Sequence, residues 1–344
     1  MKVYEAEVQD AAEWDDYVHR TPEAGLFHLF GWRDVMEDTF GLRSHYLMVR
    51  EGGECAGILG LLHVKSKLTG SYVTSVPGAI CARDERAADA LIERAQEIVR
   101  SVGAGYLILR DSPQDLSRAD LMVRENHSTF LVDLPDSPDD VSSLLDRAAR
   151  RSVKKAVSSN VAVTRGADHL DTYYPTYSRA MRQLGTPTLG LNFFRNVLQR
   201  FPGIFQVTMA SHEGRTLAGG YIAFFKDTVY ATWAGMLREY YDLCPSYLIY
   251  FDLLKQGALR GCARADLGRS AHGSGSYQFK SHFRGEVRPL YQCFYLNGSR
   301  RLPAVGGKRA DSAYYRLFVA AWSHLPLPVT EFLGPRLRAR MPFG

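Results

Sequence analysis

The feature that most constrains this chain is an internal repeat. Shifting the sequence by 162 residues aligns Trp32 to Gly57 with Phe194 to Gly219 without a gap. Identities fall at Arg33/Arg195, Val35/Val197, Gly41/Gly203, Glu51/Glu213, Gly52/Gly214, Ala56/Ala218 and Gly57/Gly219, and the first pair, Trp32/Phe194, is aromatic in both copies. Each copy reads as a helix, a glycine stop, a strand, a Glu-Gly turn and an apolar strand entered through Ala-Gly. A repeat of this length means duplicated domains, because solenoid units are shorter.

The rest of the chain extends each copy in the same style. Leu59–Val64 and Gly70–Val76 read as strands, Arg86–Val102 as an amphipathic helix and Tyr106–Arg110 as an apolar strand. A helix over Pro138–Ala156 follows. Leu217–Phe225 and Val229–Ala234 read as strands, and Pro245 suits the first turn of a helix running to Leu259 before Gly261. Residues 264–267 and Leu290–Leu296 are the last strands. This order predicts an α/β (α+β) protein of two units, each a mixed, mostly antiparallel sheet flanked by helices, plus a short C-terminal helical tail. The boundaries are expected at 1–157, 158–298 and 299–344.

A chain of 344 residues suits two domains, and 46% apolar with 23% charged residues is ordinary for a globular protein. The start, MKVYEAEVQDAAEWDD, is acidic and polar, unlike a secretory signal, and no stretch approaches eighteen uninterrupted apolar residues. These features set the expectation of a cytoplasmic protein. Five scattered cysteines without a C-x-x-C pair read as thiols, with no metal site expected. The net charge of +5 is unevenly placed: residues 299–344 carry eight Lys/Arg against two Asp/Glu. A second basic cluster, Arg147, Arg150, Arg151, Lys154 and Lys155, falls on one helical face opposite Leu145, Ala148, Ser152 and Ala156. Five like charges without an interleaved acid invite a polyanion or phosphate, or form a solvated face. In the tail, Tyr314, Leu317, Phe318, Ala321 and Trp322 line one face of a short helix, followed by Arg336, Arg338 and Arg340. Such a helix docks on its own domain or lies on the inner face of an anionic membrane as a peripheral contact.

The densest chemistry lies in Asp266–Gly285, DLGRSAHGSGSYQFKSHFRG. A strand-like start runs into a glycine- and serine-rich loop, then Tyr277, Phe279, Lys280, Phe283 and Arg284 in quick succession. A lysine among aromatic neighbours acts through a lowered dielectric and suits a developing oxyanion or a phosphate.

At these residues a resemblance is visible. Tyr277-x-Phe279-Lys280-x-x-Phe283-x-Gly285 resembles the Y-x-F-K-x-x-F/W-G signature of the Fem-like, FemAB-related (peptidoglycan-bridge type) acyltransferases of the GNAT superfamily. Asp266-Leu267-Gly268-Arg269-Ser270, Met181-Arg182-Gln183-Leu184-Gly185-Thr186-Pro187, Arg151-x-x-x-Lys155-Ala156 and Gly334-Pro335 resemble motifs of the exopolysaccharide (PEP-CTERM) associated branch. His282 and Arg284 depart from the pattern. The resemblance implies two tandem GNAT-like domains and transfer of an aminoacyl or other acyl group to an amine of a cell-envelope, polysaccharide or small-molecule or peptide acceptor. The implied donor is aminoacyl-tRNA, held through the basic helix, with no resident cofactor and no DNA.

An activated ester leaves little covalent work for the protein beyond positioning, proton acceptance and oxyanion stabilisation. Lys280 is the candidate for the oxyanion or a phosphate and Asp266 for the amine proton. Arg269, Arg182, Tyr277 and Phe279 are the candidate substrate-binding residues. Acyl-CoA is the alternative donor, but the turn before Pro245, Arg238-Glu-Tyr-Tyr-Asp-Leu-Cys244, lacks the glycines of a pyrophosphate loop. A third reading is a non-catalytic module that binds a polysaccharide or a lipid-linked precursor.

Overall fold

The structure is a computed structural model that describes residues 1–66, 70–116, 118–298 and 313–340, with the side chains of Tyr314 and Tyr315 outside the described set. In chain order its elements are β1 (Lys2–Glu5), α1 (Ala11–Arg20), α2 (Trp32–Phe40), β2 (Arg43–Glu51), β3 (Glu54–Ser66), β4 (Gly70–Ala82), α3 (Glu85–Ser101), β5 (Tyr106–Ser112) and β6 (Met122–Asp133). There follow α4 (Arg147–Ser158), β7 (Ala162–Gly166), α5 (Leu170–Gln183), α6 (Leu191–Arg200), β8 (Phe205–His212), β9 (Arg215–Phe225), β10 (Thr228–Met236) and α7 (Pro245–Leu259). The chain ends with β11 (Arg264–Asp266), β12 (Ser270–Ala271), α8 (Gly275–Ser281), β13 (Glu286–Leu296), α9 (Ala313–His324) and α10 (Leu327–Arg338).

The chain divides into two compact units. The first is Met1–His127 with Pro289–Arg309 and Arg338–Gly344, and the second is Ser128–Arg288 with Ala310–Leu337. The boundary therefore falls at 127/128 and not at 157. The reason is packing: α4 buries Ala149, Val153 and Ala156 in the core of the second unit, beside Leu253 and Leu254 of α7. The expected continuous helix over 138–156 is two pieces, a 3-10 helix at Pro138–Leu144 and α4, because Asp146 caps α4 through a bond from the Ala149 amide at 2.7 Å.

Among the described residues the first unit has the strand order β1-β2-β3-β4-β5-β13 and the second β7-β8-β9-β10-β11-β6. The repeat lies in matching places: α2, β2 and β3 in one unit, α6, β8 and β9 in the other. Its glycines explain the shared punctuation. Gly41 and Gly203 end their helix regions at φ +63° and +77°, and Gly52 and Gly214 turn the hairpins at φ +64° and +74°, a backbone region that favours glycine. Each unit next adds an antiparallel strand, a helix and a strand parallel to the preceding one: β4–α3–β5 and β10–α7–β11. The sixth strands are exchanged along the chain. β13 completes the first unit beside β5, and β6 completes the second beside β11.

The core of the first unit packs β-strand residues such as Leu47, Leu59 and Leu107 against Leu91, Ile92 and Ile98 of α3. These α3 positions recur at helical spacing behind the N-cap Asp84. Tail helices α9 and α10 dock on the second unit. Val319 sits where a Cβ on Gly185 would come within 2.4 Å, Ser178 Oγ donates to Glu331 at 2.6 Å, and Gly334 abuts Thr188. Leu317 and Ala321 are exposed, whereas Trp322 is buried, so they do not share a face as the sequence suggested. The basic segment 299–312 lies outside the described residues.

Candidate active site at the end of strand β11

The short strand β11 lies between β10 and β6 and ends at Asp266. The chain then turns at Gly268 in the left-handed region (φ +82°), where a Cβ would stand 2.7 Å from the Ala231 carbonyl oxygen. Only glycine fits this close pass beneath β10. After β12 the loop enters α8, whose N-cap Ser274 accepts from the Tyr277 amide at 3.2 Å. What the sequence presents as a loop running to the aromatic motif is therefore a capped helix, and its last turn delivers Lys280.

Lys280 is buried. Its Nζ donates to the Gly268 carbonyl at 2.7 Å and to the Arg269 carbonyl at 3.2 Å. The sequence places this ammonium against a ligand oxyanion or phosphate; the structure instead places it on two loop carbonyls. A buried ammonium needs oxygen acceptors, and the turn at Gly268 supplies them from the main chain. Burial lowers the Lys280 pKa from 10.5 to about 8, opposed by the charge of Asp266.

Asp266 is half-buried, and its Oδ1 accepts from the Gly268 amide at 2.8 Å and from Thr129 Oγ1. Among the described residues no donor reaches Oδ2. The carboxylate is thus fixed through one oxygen, and the other is left without a donor. Burial raises its pKa, while the Thr129 and Gly268 bonds and the Lys280 charge pull it down. Of the other expected residues, Arg269 contributes its carbonyl to Lys280 and makes a further interaction besides. Tyr277 packs edge-on against Phe130 with ring centroids 4.9 Å apart. Phe279 lies between Tyr247 and Tyr250, 4.8 and 5.0 Å away. Arg182 is spent elsewhere: its guanidinium donates to the Leu325 carbonyl at 2.9 Å and braces the tail helices. Within the Met181–Pro187 motif Gly185 also meets the tail, against Val319 of α9.

Three neighbours escape sequence reasoning. Thr129 and Ser128 come from β6, and Ser128 Oγ lies 2.7 Å from Nε2 of His272. The buried Tyr250 feels the Asp266 charge from α7. The β-branched and aromatic run Ser128–Val132 is the signal that could have disclosed β6.

His282, a departure from the family pattern, also has a defined place. Its Nδ1 lies 2.7 Å from Oδ2 of Asp146, and its carbonyl accepts from the Asp146 amide at 2.9 Å. The signature helix is thereby tied to the N-terminus of α4. On α4 the side chains of Arg147, Arg150, Arg151, Lys154 and Lys155 are all exposed, and among the described residues none forms an ion pair or side-chain hydrogen bond.

Among the described residues, the turns that enter the helices after the fourth strand of each unit engage several of their own amides. Before α7, Leu237–Cys244 closes on itself (Tyr240 N to Leu237 O, 3.1 Å; Cys244 N to Tyr241 O, 3.0 Å), and Pro245 has no N–H. At α3 the Asp84 carboxylate takes the Ala87 amide at 2.9 Å, with Glu85 next in line. A cavity of about 810 Å³ in the first unit opens there, and Glu54, Asp84, Glu85 and Asp89 line it with Arg83 and Arg118.

Residues 145–281 match the family model described as Acetyltransferase (GNAT) domain. The chain carries an acyltransferase domain of the GNAT type. The span opens just before α4 and closes one residue after Lys280, so it contains the basic helix and the Asp266–Lys280 corner. A search of curated proteins found no match. Among solved structures the chain is similar to FemX (14% identity, TM-score 0.69, 86% of this chain and 98% of that one). It is also similar to L-PGS from Bacillus licheniformis (11%, TM-score 0.54, 96% and 98%). A tandem GNAT protein from the clavulanic acid biosynthesis pathway is a further likeness (12%, TM-score 0.53, 85% and 97%). At these identities the likeness establishes the fold.

Proposed function

We propose that the protein is a Fem-like N-acyltransferase that moves an aminoacyl or related acyl group from aminoacyl-tRNA to an amine acceptor, with Asp266 as the proton acceptor. The observation that carries this reading is the Asp266 carboxylate, held through Oδ1 by Gly268 and Thr129 and without a donor on Oδ2 among the described residues. The acceptor amine gives its proton to Oδ2 and attacks the ester carbonyl carbon. A C–N bond forms, the C–O bond breaks, and the leaving ribose oxygen takes up the proton. Lys280 acts as a positioning residue. Its bonds to the Gly268 and Arg269 carbonyls fix the turn that orients Asp266, and its charge favours the ionised carboxylate.

The five exposed cations of α4 support a polyanionic donor such as tRNA, and the Asp146–His282 tie fixes that helix to the signature helix. Tyr277 and Phe279 are proposed to line the acceptor side. Acyl-CoA is disfavoured as donor because the turns before α7 and α3 bond their own amides or face them with carboxylates.

The test uses the full chain with a charged tRNA pool and, separately, acetyl-CoA, together with a panel of amines, and reads the mass of the transferred group. Asp266→Asn keeps an oxygen acceptor for Gly268 and Thr129 but removes the base. Transfer should fall by about 10²-fold or more with little change in melting temperature. Full activity of this variant, or transfer from acetyl-CoA alone, would sink the proposal.

A further inference from the structure

We infer that the outer faces of α9 and α10 form a docking surface for an anionic lipid membrane. Both helices pack inward on the segment that ends α5, with Val319 at Gly185 and Gly334 at Thr188, so their other faces point away from one common support. On α9 the exposed positions are 313, 316, 317, 320, 321 and 324, which follow helical spacing. On α10 they are 328, 329, 332, 333 and 336. A water-facing helix normally carries polar residues there.

These faces carry large apolar side chains instead: Leu317 is 68% exposed, Phe332 60%, and Val329 and Leu333 37% each. The charged residues among them are Arg316 and Arg336, and no Asp or Glu occupies any of these positions. The acid of α10, Glu331, is engaged by Ser178 on the docked side. Among the described residues no acid pairs with Arg316 or Arg336. The Arg336 guanidinium lies over the Phe332 ring at 3.8 Å, so an apolar body and a cationic rim share one patch.

Apolar side chains rimmed by arginine, with no acid, fit the boundary between acyl chains and anionic headgroups. A second copy of the chain fits less well, because a self-paired face would set the same cations against each other. Among the described residues no helix is long and apolar enough to cross a membrane, so the contact is with the surface.

The experiment is co-sedimentation of the full chain with extruded vesicles of phosphatidylcholine alone and of phosphatidylcholine with about 30% phosphatidylglycerol. Binding to the anionic vesicles should be at least about tenfold tighter and should weaken with salt. Leu317→Ser/Phe332→Ser/Leu333→Ser should lose that binding about tenfold or more with at most a small fall in melting temperature, since Leu317 and Phe332 are mostly exposed. Arg316→Gln/Arg336→Gln, which leaves the apolar side chains intact, should weaken it by about fivefold per charge. The inference is overturned if neither vesicle pulls down the chain, if both do so equally, or if both variants bind like the parent. It is also overturned if analytical ultracentrifugation shows a concentration-dependent dimer that the triple substitution abolishes, which would make the face a contact between copies.

Discussion

Replacing Lys280 with Met tests the corner that orients Asp266. The substitution keeps most of the apolar stem but removes two charge-assisted hydrogen bonds, to Gly268 O at 2.7 Å and Arg269 O at 3.2 Å. Each contributes about 1.5–3 kcal/mol. Against this stands the cost of keeping a buried ammonium, which lowers the pKa from 10.5 to about 8. That shift corresponds to at most about 3 kcal/mol at neutral pH. The two effects nearly offset, so Lys280→Met should destabilise the protein by only about 1–2 kcal/mol at pH 7. The pH dependence carries the sharper signal. A lysine with a lowered folded pKa contributes stability that is fully present above pH 10.5 and is lost as pH falls through about 8, because the unfolded chain binds the extra proton in that window. The parent should therefore gain on the variant by up to about 3 kcal/mol between pH 8 and 10.5. Urea unfolding of both proteins at half-unit steps across that range measures the gap. A constant or narrowing gap would show that the ammonium is not desolvated and would refute the reasoning. In transfer assays the variant should also shift the acid limb of the kcat/KM profile to higher pH, since Asp266 loses a neighbour that keeps it ionised.

Gly268→Ala should cost about 2–4 kcal/mol and impair transfer, because alanine at φ +82° is strained and its Cβ would meet Ala231 O at 2.7 Å; chemical denaturation together with activity checks it. Asp146→Ala should remove about 1 kcal/mol through loss of the α4 cap. Although burial alone would raise the Asp146 pKa, the Ala149 amide and His282 leave it below 3.8. The ionised carboxylate's contribution is thus present above pH 3.8 and is lost as pH falls through the lowered value, and unfolding measured from pH 7 down to 3 should show the two proteins converge. Arg151→Glu/Lys155→Glu should weaken tRNA binding and reduce the slope of log affinity against log salt by roughly one for each phosphate left unneutralised; an unchanged slope would make α4 a solvated face.

The sequence by itself determined the duplication, and the reason is local. Helix stops and hairpin turns need backbone conformations that glycine adopts easily, so Gly41/Gly203 and Gly52/Gly214 mark the same bends in both copies. Apolar spacing likewise disclosed α3 and most of the strands, while Pro245 and Gly261 marked the ends of α7. The exposed basic face of α4 was legible for the same reason, since its five cations recur at the helical period. Tertiary structure alone decided the rest. Strand β6 departs from simple alternation, and its exchange with β13 between units depends on pairings distant in sequence, so the boundary moved from 157 to 127/128. The meeting of Thr129 with Asp266 spans 137 residues and leaves no periodic trace. The roles of Lys280 and Arg182 were decided by which oxygen each cation reached. Sequence shows that a buried cation will require an acceptor, but only the folded chain supplies the carbonyls of Gly268 and Arg269 to one and that of Leu325 to the other.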